Sequence, residues 1–180
     1  MFRTSWVLSV LCLAVPWVSV AEEKNTASHP PSSIDVHPNC DAVSSNLVAN
    51  CGFETGAFPP WVQSGDLSFT SVTPVAAHSG NFGAAFGPPT LGFIAQMLPT
   101  VPGQTYTISF WLRNVGQPSE FQLYWDGILI SDWISVGTFV FVQLSFPGQM
   151  ASLSMTEIRF GFSNVPDFFF IDDIVVEQDL

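Results

Sequence analysis

The sequence predicts an all-β protein, a two-sheet antiparallel sandwich of the jelly-roll kind. From Asn46 onward the chain is built of short runs of Val, Ile, Phe, Thr and Trp separated by Gly, Pro, Asn and Asp, with no amphipathic helix of useful length. Several runs alternate apolar with polar residues, the period of two that a half-buried strand requires. Eight to eleven such runs within 46–180 suit two packed sheets.

Composition bounds the partners. The chain has 180 residues, 47% of them hydrophobic, with 17 Phe and 6 Trp, so one domain with a large core is expected. Four Lys and Arg stand against 15 Asp and Glu, a net charge of −11, and loss of a leader carrying Arg3 would make it −12 (−11 − 1). Such a chain repels phosphate backbones and anionic membranes, so nucleic acid and, once the leader is cleaved, membrane are excluded as partners.

The first 21 residues read as an export signal. Arg3 supplies the charged start, Trp6 to Val18 the apolar stretch, and Ser19-Val20-Ala21 a small-x-small cleavage site before Glu22. Roughly 15 apolar residues fall short of the about 20 that span a bilayer. Residues 22–45 are polar and rich in Pro and Ser, which predicts a flexible linker before a domain at 46–180. Cys12 leaves with the leader. Cys40 and Cys51 remain in an oxidising compartment and are expected to pair, two free or intermolecular thiols being the alternative.

Candidate strands lie near 46–49, 60–64, 67–73, 82–86, 92–98, 105–113, 120–126, 128–133, 138–146, 155–163 and 168–177. Turn pairs such as Pro102-Gly103, Asp126-Gly127 and Pro147-Gly148 separate them. Parity then sorts core from surface. Tyr106, Ile108, Phe110 and Leu112 face inward and Thr107, Ser109, Trp111 and Arg113 outward. Phe121, Leu123 and Trp125 face inward, leaving Gln122 and Tyr124 outward; Val140, Val142, Leu144 and Phe146 face inward, leaving Phe139 and Phe141 outward. Outward aromatics beside amide and guanidinium groups suit sugar recognition, a π-face against a pyranose ring and planar polar groups forking to neighbouring hydroxyls. The alternative is that loops or edge packing cover these aromatics. Arg113, Gln122, Tyr124 and Trp111, with Gln96 from a neighbouring strand, form the candidate carbohydrate-binding set.

In the last strand Phe170, Asp172 and Ile174 share one face and Ile171, Asp173 and Val175 the other. Both faces are apolar around the acids. At least one carboxylate therefore lies near the interior and needs backbone N–H groups, a cation or a metal. Past the leader only Lys24, Arg113 and Arg159 are cationic, which makes Ca²⁺ a candidate.

The stretch Asn46-Leu47-Val48-Ala49-Asn50-Cys51-Gly52-Phe53-Glu54-Thr55-Gly56, followed by Trp61, resembles the opening of carbohydrate-binding modules related to families four, nine and twenty-two. His78-Ser79-Gly80, Gln96-Met97-Leu98, Gln104-Thr105-Tyr106-Thr107 and Ile171-Asp172-Asp173-Ile174 continue the resemblance in order over 46–177. Within the family the chain is most similar to single-module exported bacterial proteins. The resemblance implies a galactose-binding-domain-like jelly roll with a structural Ca²⁺ held by Glu54, one of Asp172 and Asp173, and backbone carbonyls near Gly52. Asp172 is the preferred ligand, although parity does not decide. Cys51 departs from the pattern, which has Gly there.

The expected function is a secreted or cell-surface, non-catalytic protein that binds a glycan or polysaccharide, as a monomer. The alternatives are an extracellular matrix or adhesion protein binding another protein, and a glycoside hydrolase, which needs two placed carboxylates. Glu120, Asp126, Asp132 and Glu157 are available, but nothing marks them as a pair, and no nucleophile elbow accompanies His78.

Overall fold

The computed structural model describes residues 39–180. The predicted signal segment and residues 22–38 of the predicted linker lie outside the described residues. Ten strands follow one another among the described residues: β1 (Val62–Gly65), β2 (Thr70–Thr73), β3 (Gly83–Phe86), β4 (Gly92–Pro99), β5 (Thr105–Asn114), β6 (Ser119–Trp125), β7 (Ile128–Ile134), β8 (Phe139–Met150), β9 (Met155–Asn164) and β10 (Phe169–Gln178). They form two five-stranded antiparallel sheets, β1-β4-β9-β6-β7 and β2-β3-β10-β5-β8. Successive strands cross from sheet to sheet, β4 to β5 to β6, and the last strand lies in the centre of the second sheet between β3 and β5.

The inward faces meet in a core of rings. Phe86 stacks on Phe162 at 4.2 Å between centroids, and Phe110 meets Phe160 edge to face at 5.1 Å. Each buried Phe contributes about 1.5–3 kcal/mol, and each such ring pair about 0.5–1.5 kcal/mol more. The inward sets expected on β5 and β6 are buried, and Trp125 donates its indole N–H to the Met150 carbonyl at 2.8 Å.

Residues 39–45, expected as the end of a flexible linker, are part of the folded domain. Cys40 is buried, starts a short 3-10 turn (Cys40–Ala42), and is bonded to Cys51, so the chain from Asn39 belongs to the sandwich. Residues 46–49, expected as a strand, run irregularly beside β10. Leu47 donates its N–H to Val176, but the Asn46 side chain takes over the neighbouring places, accepting from the Val176 N–H and donating to the Ile174 carbonyl.

Strict alternation fails at two irregularities. Between Leu112 and Asn114 the register of β5 on β8 shifts, so Phe139 packs on the main core and Val140, expected inward, is 75% exposed. On β10, three steps from Asp172 to Val175 match two on β5, from Trp111 to Ser109. This bulge sets Asp173 at φ 49° and returns Ile174 and Val176 to the core face with Phe169 and Ile171. Ile174 therefore does not share a face with Phe170, as plain parity required.

Candidate functional site

The five residues expected to form one sugar-binding face do not lie on one face. Trp111 and Arg113 are on β5, in the second sheet, whereas Gln122, Tyr124 and Gln96 are on β6 and β4, in the first. The two outer surfaces look away from each other, so the set divides. Gln96 leaves it altogether. Its side chain points inward, 7% exposed, where it accepts from the Ala49 N–H at 2.8 Å and donates to the Ala49 carbonyl at 3.0 Å. Trp111 is covered by the His78 ring, stacked at 3.8 Å with 13° between planes. Arg113 lies 5.4 Å from the Phe170 ring and borders a cleft of about 320 Å³ with Thr138, Phe139 and Val140.

The outer surface of the first sheet gathers the remaining groups into rows set by strand register. Phe93, Gly161, Gln122 and Asp132 form one row; Ala95, Arg159, Tyr124 and Leu129 form the next. The Arg159 guanidinium lies 4.1 Å from the Tyr124 ring centroid and 5.4 Å from that of Phe93. The two rings meet at 64° with centroids 6.5 Å apart. A polar chain runs along β6: the Tyr124 hydroxyl donates to Gln122 Oε1 at 2.6 Å, and Gln122 Nε2 donates to Glu120 Oε1 at 2.8 Å. Arg159 Nη1 is 3.7 Å from Glu157 Oε1, while its Nε–H has no hydrogen-bond partner among the described residues. Beside this cluster Val62, Ser64, Met97, Glu157 and Arg159 line a cavity of about 210 Å³.

Phe93 and Arg159 are the members that sequence reasoning missed. Parity in β9 could have found Arg159, because it falls between the core residues Ile158 and Phe160. Nothing in the sequence pairs it with β6, since strand adjacency is a long-range fact.

The acids of β10 are held by donors. Asp172 is fully buried; its Oδ2 accepts from the His78 and Ser79 N–H groups at 2.7 and 3.1 Å, and its Oδ1 from the Asp173 N–H at 2.8 Å. Burial and then the neighbouring Asp173 charge push the Asp172 carboxyl up to about 7, against those three bonds, which act to lower it. Asp173 faces the other way, accepting from the Cys40 N–H and the Ser79 hydroxyl, with His78 Nδ1 2.9 Å from its Oδ2. Glu54 accepts from the Asn81 and Phe82 N–H groups and the Asn81 amide. One loop, residues 78–82, thus serves both Glu54 and Asp172. Gly80 turns it at φ 63°, where a side chain would lie 2.4 Å from Glu54 Oε1.

Two of the oxygens near Gly52 are of the kind that a hard cation takes, while the Glu54 and Asp172 carboxylates accept from N–H donors. A side chain at Gly52 would lie 3.2 Å from Asn39 Oδ1, 3.4 Å from the disulfide sulfur of Cys40 and 3.5 Å from Asp172 Oδ1, so two oxygens and a sulfur border the space that this glycine leaves open. Carboxylate, amide and carbonyl oxygens are the donors that Ca²⁺ takes. Asp172, not Asp173, is the acid beside Gly52.

The sandwich is similar to a carbohydrate-binding module of family 61 solved with β-1,4-galactotriose, at TM-score 0.64 and 22% identity over 76% of this chain and 100% of that one. It is also similar to a family 16 carbohydrate-binding module, at TM-score 0.54 and 20% identity over 73% and 99% of the two chains. A xylan-binding domain of family 22 aligns at TM-score 0.54 and 18% identity over 75% and 96%. No family model and no curated protein matches the chain. The chain has the jelly-roll sandwich fold of these modules, and at such identities the likeness is one of fold.

Proposed function

We propose that the protein is a secreted, non-catalytic glycan-binding protein whose ligand face is the outer surface of the first sheet around Tyr124, Arg159 and Phe93. One observation carries this reading: two rings and a guanidinium are gathered on an open sheet face beside a hydrogen-bonded row of amide and carboxylate groups. An exposed ring edge or face suits the C–H surface of a pyranose, and Glu120, Glu157 and Arg159 offer planar forks to adjacent hydroxyl pairs, with the buried Gln122 holding Tyr124 and Glu120 in place. The fold supports the same class, since similar modules were solved with β-1,4-galactotriose or are xylan-binding. Secretion rests on the leader-like first 21 residues.

A glycan array that includes galactan and xylan oligosaccharides tests the proposal, followed by calorimetric titration. Each ring contact or forked hydrogen bond contributes about 1 kcal/mol net, so affinity in the range of about micromolar to millimolar is expected. Tyr124→Ala and Arg159→Ala should each weaken binding by about tenfold, the factor that corresponds to about 1.4 kcal/mol. Arg113→Ala, on the opposite sheet, should leave it unchanged. A silent array would turn the reading toward a protein-binding adhesion role, and release of reducing ends toward a glycosidase.

We also propose a structural Ca²⁺ held by Glu54, Asp172 and main-chain oxygen near Gly52. The bound ion would supply positive charge beside the buried Asp172 and the partly buried Glu54. The loop 78–82 would orient both carboxylates toward it through the N–H bonds already described.

A further inference from the structure

The geometry points to a second saccharide site on the opposite sheet, where Arg113 takes the carboxylate of a uronic acid residue in the cleft between β5 and the start of β8. Arg113 and Arg159 are the two Lys or Arg side chains of residues 39–180. Arg159 has Glu157 beside it at 3.7 Å, whereas Arg113 forms no ion pair and no hydrogen bond among the described residues. It lies instead 5.4 Å from the Phe170 ring, a cation–π contact that leaves its five N–H donors without an acceptor. In a chain with 15 Asp and Glu, local composition is what keeps this charge unpaired. β2, β3, β5 and β8 carry no acidic residue. On β10, Asp172 is turned into the interior, Asp173 is held by Cys40, Ser79 and His78, and Glu177 accepts from the Ser45 hydroxyl. Asp167, in the loop before β10, packs on Gly116.

The start of β8 shapes the cleft. Three steps on β8, from Val142 to Phe139, match two on β5, from Leu112 to Asn114, so the extra residue stands across from Arg113. The buried Asn114 amide donates to the Val136 and Gly137 carbonyls at 3.0 and 3.1 Å, which ties the chain before β8 to the end of β5. Arg113, Thr138, Phe139 and Val140 border the resulting space of about 320 Å³. That is the low end of the roughly 300–1,000 Å³ of small-ligand sites, room for one sugar residue rather than a chain. A guanidinium fork meets a carboxylate in two parallel N–H···O bonds. Phe139 and Val140 offer apolar surface to ring C–H groups, and the exposed Thr138 a hydroxyl to a ring hydroxyl. One positive charge suits one carboxylate, and the net charge of −11 opposes a densely anionic chain. The ligand is therefore a single uronic acid branch or chain end on an otherwise neutral glycan.

The saccharide half of this inference rests on the glycan reading, and the anion half rests on Arg113. Chemical-shift titration of the secreted chain with methyl glucuronide and methyl galacturonide, against neutral methyl glucoside and against acetate, tests both. The expected result is that a uronide moves the Arg113, Thr138 and Val140 signals, that the neutral glycoside does not, and that added salt weakens the uronide several-fold. Arg113→Gln should weaken uronide binding at least tenfold at an unchanged melting temperature, and Arg113→Lys, which keeps the charge and loses the fork, should weaken it less. Tyr124→Ala, on the other sheet, should leave it as in wild type. Silent Arg113 signals, or uronide binding that survives Arg113→Gln, would overturn the site. Acetate binding as tightly as the uronides would reduce it to a bare anion contact and overturn the sugar assignment. Titration with β-1,4-galactotriose in parallel reads the first sheet through Tyr124, so failure of one site is told apart from failure of the other.

Discussion

Gly161 is the residue on which the aromatic face of the first sheet rests. A side chain there would lie 2.7 Å from the Phe93 ring and 3.3 Å from Gln122 Cβ, so the ring occupies space that only glycine leaves. Gly161→Val should push Phe93 off the row, weaken glycan binding several-fold, and cost about 1–3 kcal/mol of stability by overpacking. Titration calorimetry and melting curves beside Phe93→Ala check this; wild-type affinity in Gly161→Val would remove Phe93 from the ligand face. The sequence could not separate the two arginines of the domain. Arg113 and Arg159 both follow outward parity and both lie over rings, but one faces Phe170 on the second sheet and the other Tyr124 on the first. The residue itself carries no mark of which surface it joins.

Strands were more legible than their partners. The alternation of period two and the turn dipeptides located ten strands within a few residues of their ends, because both signals are local. Sheet membership is not local: β4 pairs with β1 and β9, whereas β5 pairs with β10 and β8. Parity says "outward" without saying from which sheet, and so it merged Trp111 and Arg113 with Gln122 and Tyr124. It also failed where a bulge adds a residue, at Val140 and at Asp172 to Val175. The Cys40 to Cys51 bond shows how an element outside the strands is fastened. It closes a separation of 11 residues and keeps the Cys40 N–H on Asp173. On the chain-entropy account such a loop contributes about 3 kcal/mol. Cys40→Ser with Cys51→Ser should therefore lower the denaturant midpoint markedly, and an unchanged midpoint would show that the tether carries no stability.

At the scale of the whole molecule, the acids of β10 link three separate segments: the turn at Cys40, the loop 78–82 and β10 itself. If Ca²⁺ occupies the oxygen set beside Gly52, saturation at 100 times its dissociation constant adds roughly 2.7 kcal/mol. Chelation and prolonged dialysis should then lower the melting temperature clearly, and Glu54→Gln should shrink that difference. An unchanged melt after chelation would leave the N–H donors as the sole support of the acids. The position of β10 has a further consequence, for the order in which the protein can be made. Until Phe169–Gln178 have left the ribosome, β3 and β5 lack the strand that joins them, and β2-β3 and β5-β8 are two separate ribbons. Two-stranded ribbons are marginal in water, so synthesis from the N-terminus cannot complete the second sheet step by step. The ten residues of β10 close it, so the second sheet is completed only once that strand has been made.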